Sequence, residues 1–322
     1  MPSTGSGNAP TERKLLSEIT GNETANTLAK DNLGNPITIP AGFEVDNPND
    51  NVEDGIVVRD KTHTNTAGSE FVWIPVENVK TRDKGTVNIE LKRYVFNDNG
   101  TVNADLSKTE PGDQLKTSTS SSYYYTEGLE NIETFKSKAE SSKGYYIGRY
   151  EARTPTERKT EDDNLTQITT ESNDYVYNYV TQSQAATLSR GMYTGTPFES
   201  DLVNSYAWDT ATLFLQTFDN RTNKDSLKKY SIQTSLNTKS DGLATQGTNK
   251  LDTSKKDKIC NVYDIASNCF EWSTETYSGS GSRCTGRGGY YGNSGYYTSF
   301  RVNSSTTYSG DGYYSFRPLL YL

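Results

Sequence analysis

Residues 290 to 315 constrain this chain more than any other stretch. Between Tyr290 and Ser315 stand seven Tyr, six Ser, four Gly, three Thr, two Asn and one Asp, with Phe300, Arg301 and Val302, and without any Lys, Glu, Leu or Ile. A segment with one aliphatic residue cannot build a core, and one so dense in aromatics is unlike a solvated low-complexity tail. It runs directly into Phe316-Arg317-Pro318-Leu319-Leu320-Tyr321-Leu322, which reads as an apolar strand. The fold must therefore bury its last residues while carrying the Tyr/Ser/Gly/Asn segment on its outside.

Tyr supplies a large, rigid, amphipathic contact face at low entropic cost, and Ser, Gly and Asn supply adaptable hydrogen bonds, the vocabulary of antibody paratopes. The expected contact residues are Tyr290, Tyr291, Tyr296, Tyr297, Tyr308, Tyr313 and Tyr314, with Asn293, Ser294, Asn303, Ser304, Ser305 and Asp311 as polar neighbours. Adjacent strand residues face opposite ways, so about half of the tyrosines should point inward.

Composition narrows the function classes. Only 32% of the 322 residues are hydrophobic, and the mean hydropathy is -0.81, so a modest core under long polar loops is expected. Forty-one acidic against 33 basic residues give a net charge of -8, the wrong sign for nucleic acid. There is no twenty-residue apolar run and no basic-then-apolar leader, so neither membrane insertion nor a signal peptide is expected. Cys260, Cys269 and Cys284 are odd in number and lack CxxC spacing. They read as free thiols, with a Cys260–Cys284 bridge as the alternative in an oxidising setting. With His63 as the single histidine, histidine-based catalysis has almost no raw material.

Along the chain, residues 1–36 read as a flexible or attachment segment, with a short helix around Glu12 to Ile19. From residue 37, Ile37 to Val45, Gly55 to Val58 and Glu70 to Val76 are short β-rich runs bounded by Gly, Pro, Asn and Asp. Gly144 to Arg153 reads as a further strand. The stretches 97–122, 154–173 and 224–257 are polar excursions without apolar period. Helical spacing is clearest from Val203 to Phe218 after a Ser200-Asp201 cap, and weaker from Ser183 to Met192. Strands, two helices, loops and final strands make an α+β layout with long polar insertions.

Three segments carry a family resemblance. Tyr145-Tyr-Ile-Gly-Arg-Tyr-Glu151, Val262-Tyr-Asp-Ile-Ala-Ser-Asn-Cys-Phe-Glu-Trp272, and Arg287-Gly-Gly289 with Phe316-Arg317 resemble the formylglycine-generating-enzyme (sulfatase-modifying factor) domain. That domain is a variant of the C-type-lectin-like fold. Asp264, Ala266, Asn268, Glu271 and Trp272 match its Asp-Met-Ala-Gly-Asn-Val-Trp-Glu-Trp motif, while Ser267, Cys269 and Phe270 depart from it. The resemblance implies one such domain over 37–322. The family's oxidases need a cysteine pair shortly after Arg-Gly-Gly to bind copper; here Asn293 and Thr298 fall nearest those positions, and neither is a thiolate ligand.

The same fold serves the variable proteins of diversity-generating retroelements, whose C-terminal segment is rewritten at adenine-rich codons that yield Tyr, Ser, Asp, Gly and Asn. The segment 288–322 resembles such a variable region, with Arg287, Gly288, Gly289, Phe300, Arg301, Phe316 and Arg317 as fixed residues between variable ones. Ser299-Phe-Arg301 and Ser315-Phe-Arg317 echo each other, as two strands anchoring one surface would. The resemblance implies a non-enzymatic binding protein on a phage virion or a bacterial cell surface, extracellular, with a protein or glycan receptor as partner. A fixed carbohydrate-binding module is the alternative, and a copper-dependent oxidase a more distant one.

No catalytic residue, metal or cofactor is expected. Oxygens of Asp264, Asn268 and Glu271 suit either a calcium ion or a buried hydrogen-bond network, and the network is the expectation. Arg287, Arg301 and Arg317 are expected to tie loops to carbonyls and acids, and Trp73, Trp208 and Trp272 to anchor the core.

Overall fold

The computed structural model describes residues 12–96, 102–104, 132–161, 164, 166–172, 174–219, 258–276, 283–290, 298–305 and 312–322. The described architecture is mostly strand with three α-helices, Ile132–Ser142, Gln182–Gly191 and Ser205–Phe218. Two sheets organise it.

The larger sheet has six strands in the order Glu199–Leu202, Pro318–Tyr321, Gly144–Gly148, Glu70–Pro75, Val57–Asp60, Phe43–Val45, each antiparallel to its neighbours. Three of its four inner strands, Pro318–Tyr321, Gly144–Gly148 and Glu70–Pro75, are buried at every position, which explains why they read as continuous apolar runs instead of alternating ones. The last apolar stretch of the sequence is thus buried and paired on both sides within the larger sheet.

Helix Ile132–Ser142 covers part of this sheet. Its Phe135 ring meets Tyr145 at 5.3 Å and Tyr321 at 5.5 Å, both edge-on. The sequence reading missed this helix, because Ile132, Phe135 and Ala139 are its only buried residues. Helix Gln182–Gly191 starts on a capping box: Thr181 Oγ1 accepts from the Gln184 amide at 3.2 Å, and Gln184 Oε1 from the Thr181 amide at 3.0 Å. Helix Ser205–Phe218 is capped by Asn204, whose Oδ1 accepts from the Ala207 amide at 2.9 Å. The expected Ser200-Asp201 cap lies instead in the edge strand Glu199–Leu202.

The N-terminal segment also departs from expectation. Thr27–Lys30 pairs antiparallel with Pro36–Ile39 and parallel with Lys14–Leu15, so a boundary at residue 36 falls inside a hairpin. Leu16, Ala29, Ile37 and Ile39 join the main core. A two-residue strand and a 3-10 turn, Leu16–Glu18, stand where a helix was expected. Of the expected polar excursions, 224–257 and all of 97–122 except strand Val102–Ala104 lie outside the described residues. Among the described residues, no helix is long and apolar enough to cross a membrane.

The edge strand carries a pH-sensitive group. Asp201 is buried and accepts from the Leu202 amide at 2.7 Å and from Arg190 Nε at 3.3 Å. Burial dominates those stabilising partners and pushes its carboxyl up to about 6. A raised carboxyl favours the folded state most when protonated, so this contribution is present below the unfolded value near 4 and is lost as pH rises through 6. Relative to wild type, Asp201→Asn should therefore gain up to about 3 kcal/mol of stability between pH 4 and pH 7, measured by urea unfolding at each pH.

Candidate ligand-binding surface

The smaller sheet has four strands in the order Arg301–Ser305, Arg283–Arg287, Phe270–Thr276, Tyr314–Phe316. The first three are antiparallel, and Tyr314–Phe316 joins parallel to Phe270–Thr276. Arg317 follows at once, and the chain then enters the larger sheet at Pro318. The two Ser-Phe-Arg echoes fall at the two outer strands, one leading into Arg301–Ser305 and the other running out of Tyr314–Phe316.

Arg287 and Arg301 sit directly opposite each other on neighbouring strands. Two like charges so placed would repel. Here two carboxylates bridge them: Arg287 donates to Asp209 at 2.5 Å and Glu275 at 2.9 Å, and Arg301 donates to Asp209 at 2.6 Å and Glu275 at 3.0 Å. The result is a neutral ring of two arginines and two acids, fully buried except for part of Arg301. Burial by itself would raise the Asp209 carboxyl, but the Arg301 and Arg287 guanidiniums outweigh it and hold it below its ordinary value. Asp209 comes from helix Ser205–Phe218, so the ring ties that helix to three strands of the sheet.

A second clamp joins the two sheets. Arg317 is fully buried, contacts both carboxylate oxygens of Glu271 at 2.6 to 3.2 Å, and donates to the carbonyls of Gly148 at 2.7 Å and Tyr263 at 2.9 Å. Nearby, Asn268 Nδ2 and the Cys269 amide both donate to the Glu151 carboxylate. Asp264 and Asn268 adopt left-handed backbone, φ 55° and 60°, which Asp and Asn tolerate better than other Cβ-bearing residues. Of the oxygens weighed for calcium, both of Glu271 accept from Arg317, and Asp264 Oδ1 accepts from Ser267 Oγ at 3.3 Å. Gly288, at φ 74°, passes so close to Ile265 that a Cβ would lie 2.7 Å from its carbonyl oxygen. Only glycine fits there.

Above this floor the aromatics are layered. Trp272 is fully buried and stacks on Tyr314 at 4.2 Å and 19°. Tyr314 meets Phe270 at 5.3 Å, Phe270 meets Tyr290 at 4.8 Å, and Tyr290 meets Tyr313 at 5.2 Å. Exposure rises through the stack: Trp272, Phe270 and Tyr314 are buried, while Tyr290 and Tyr313 are half-buried with a side open to solvent.

Five of the expected contact residues have described side chains. Tyr290 and Tyr313 form the outer pair, and Ser304 and Ser305 lie on the edge strand, the latter exposed. Tyr314 is corrected to a core residue: its neighbour Tyr313 faces out, so strand alternation turns it inward onto Trp272. Asn303 belongs to the edge strand opposite Thr285. Tyr291, Asn293, Ser294, Tyr296, Tyr297, Tyr308 and Asp311 lie outside the described residues. Sequence reasoning missed the acids beneath. Asp209, the single charged residue of helix Ser205–Phe218, was the available signal, since a buried carboxylate demands a cationic partner.

The remaining chemistry candidates are structural. His63 Nδ1 lies 2.9 Å from Asp60, with the ring among Phe43, Tyr193 and Phe198. The three cysteines are free. Burial, aided by the Glu151 carboxylate, pushes the Cys269 thiol well up, and burial does the same for Cys284, so neither is a ready thiolate. Trp208, in the position expected of a core anchor, donates from Nε1 to the carbonyl of Thr298 at 2.7 Å.

No protein-family profile and no curated protein matches the chain. Among solved structures it is similar to Treponema denticola variable protein 1, at 15% identity over 81% of this chain and 99% of that one, with a TM-score of 0.32.

Breaking the ring should be costly and altering the rim cheap. Asp209→Ala leaves two buried guanidiniums short of a counter-charge and should lose about 3–5 kcal/mol. Ser305→Ala should stay within about 0.5 kcal/mol of wild type. Chemical denaturation of the two variants checks both values.

Proposed function

We propose that this protein is a non-enzymatic ligand-binding protein whose Tyr/Ser/Asn/Gly-rich surface is diversified by a retroelement, on a C-type-lectin-like domain of the formylglycine-generating-enzyme type. One observation carries the reading: the half-buried Tyr290–Tyr313 pair sits on a buried aromatic layer, and that layer belongs to a sheet held from beneath by the Asp209–Glu275–Arg287–Arg301 ring. Rigid aromatic anchors over a locked floor bind with little ordering cost. Because the charges that hold the sheet lie on its buried side, residues of the outer face can change without disturbing them.

The favoured ligand is a protein receptor on a cell surface, and the favoured setting is a phage virion or bacterial surface. Interface energy concentrates in Tyr, Trp and Arg, and the outer face offers the first of these. The copper-oxidase alternative is disfavoured by raised, buried thiols at Cys269 and Cys284 and by the lack of a cysteine after Arg287-Gly-Gly289.

Deep sequencing of the 3′ end of the gene across a population of its source tests the proposal. The codons for Tyr290, Tyr313 and their polar neighbours should differ between copies wherever a nearby near-repeat carries adenine, with Gly288, Tyr314, Phe316 and Arg317 constant. An invariant segment without a near-repeat or an adjacent reverse transcriptase gene would instead favour a fixed carbohydrate-binding module.

A further inference from the structure

Residues 177–180 run beside the end of the Tyr-rich segment and are pinned from several sides. The Tyr177 ring is buried edge-on to Phe316 at 5.7 Å, and the Arg158 guanidinium lies over it at 4.4 Å. Arg158 donates from Nε to the Asn178 carbonyl at 2.8 Å and from Nη2 to the Tyr179 carbonyl at 3.1 Å. Trp272 Nε1 donates to the Val180 carbonyl at 2.7 Å, and Asn178 Nδ2 to the Gly312 carbonyl at 2.9 Å.

Between these fixed points Tyr179 is held at φ 52°, a left-handed conformation that bulky side chains rarely adopt. Asn or Gly would sit there with less strain. The fold makes little use of the ring that it strains to keep. Tyr179 is half-buried, and among the described residues its ring stacks on no other ring and its hydroxyl makes no hydrogen bond. Its place depends on Gly312: a Cβ there would come within 3.0 Å of the Tyr179 hydroxyl and 3.2 Å of Cζ. The next residue along the chain is Tyr313, which meets Tyr290 at 5.2 Å.

Strain that surroundings enforce and packing does not use is characteristic of ligand clamps. We infer that Tyr179 is a ligand-contact residue that the constant part of the fold adds to the Tyr290–Tyr313 surface, with Arg158 as its positioning residue. The inference rests on the ligand-binding reading above, and it adds an aromatic anchor from outside the Tyr-rich segment. Such an anchor would stay in place while its neighbours change, favouring ligands that share one flat apolar feature and differ around it.

The test uses the full-length chain and a probe. The probe is a cyclic peptide selected by display on the wild-type protein and counter-selected on the Tyr290→Ala/Tyr313→Ala double variant. Tyr179→Asn should keep or raise the thermal midpoint and weaken the peptide at least tenfold. Arg158→Gln should weaken it several-fold when Tyr179 is present and add nothing to Tyr179→Asn, as expected of a residue acting through another. A midpoint lowered by more than about 4 °C in Tyr179→Asn would make the ring a packing element and overturn the inference. So would an unchanged midpoint with affinity within twofold of wild type, while leaving the surface itself intact. Failure to select any peptide that discriminates the double variant would overturn the reading of the surface and this inference with it.

Discussion

The structure depends on how two arginines can face each other across a strand pair inside a protein. Arg287 and Arg301 are direct cross-strand partners, and their sheet would be pushed apart but for Asp209 and Glu275, each of which binds both. Burying four charges carries a heavy desolvation penalty, recovered only where geometry is good and the charges balance. Both conditions are met, and the consequence is directional. Asp209 lies on a helix and Glu275 on a neighbouring strand, so the ring fixes the helix beneath the sheet and takes nothing from the outer face. Arg317 does the same between the sheets, holding Glu271 on one side and the Gly148 carbonyl on the other.

With the floor fixed from below, the outer face is free to be built from residues that contribute little to folding. The aromatic layers follow a gradient from Trp272 through Tyr314 and Phe270 to Tyr290 and Tyr313. Inner members share ring contacts and burial, so their rotamers are set before any ligand arrives. Outer members inherit that order on one side and offer the other to solvent. A ligand meeting such a surface pays little to immobilise it, and loss of an outer side chain leaves the inner layer packed.

Much of this was legible in the sequence, and the gaps have physical causes. Continuous apolar runs such as Phe71-Val72-Trp73-Ile74 announced strands, and strand alternation in the Tyr-rich segment led to an expectation of both inward and outward tyrosines, as Tyr314 and Tyr313 are. The structural roles of Arg287, Arg301 and Arg317 were also within reach, since arginines amid Gly, Ser and Tyr need acids or carbonyls. Which acids was not legible: Asp209 and Arg287 are 78 residues apart, and no local rule brings them together. The inward turn of Tyr314 was a matter of parity, which strand alternation limits to two choices and only the sheet decides. The hairpin joining Thr27–Lys30 to Pro36–Ile39 was missed because Thr27–Lys30 shows no apolar alternation: Ala29 is its one buried residue, and the larger Leu28 faces solvent. Tyr179 gave no signal, because left-handed backbone at a tyrosine is imposed by Arg158 and Trp272 from elsewhere in the chain.

The central claim is a separation of labour between a charged, buried floor and a replaceable outer face. Saturation mutagenesis of residues 283–290, 298–305 and 312–317, read out by protease resistance of the displayed full chain, tests it most directly. Resistance should survive nearly every substitution at Tyr290, Ser304, Ser305 and Tyr313, and fail for nearly every one at Arg287, Gly288, Tyr314, Phe316 and Arg317. If Tyr290 and Tyr313 prove as intolerant as Arg287, the outer face is part of the core and the account is wrong.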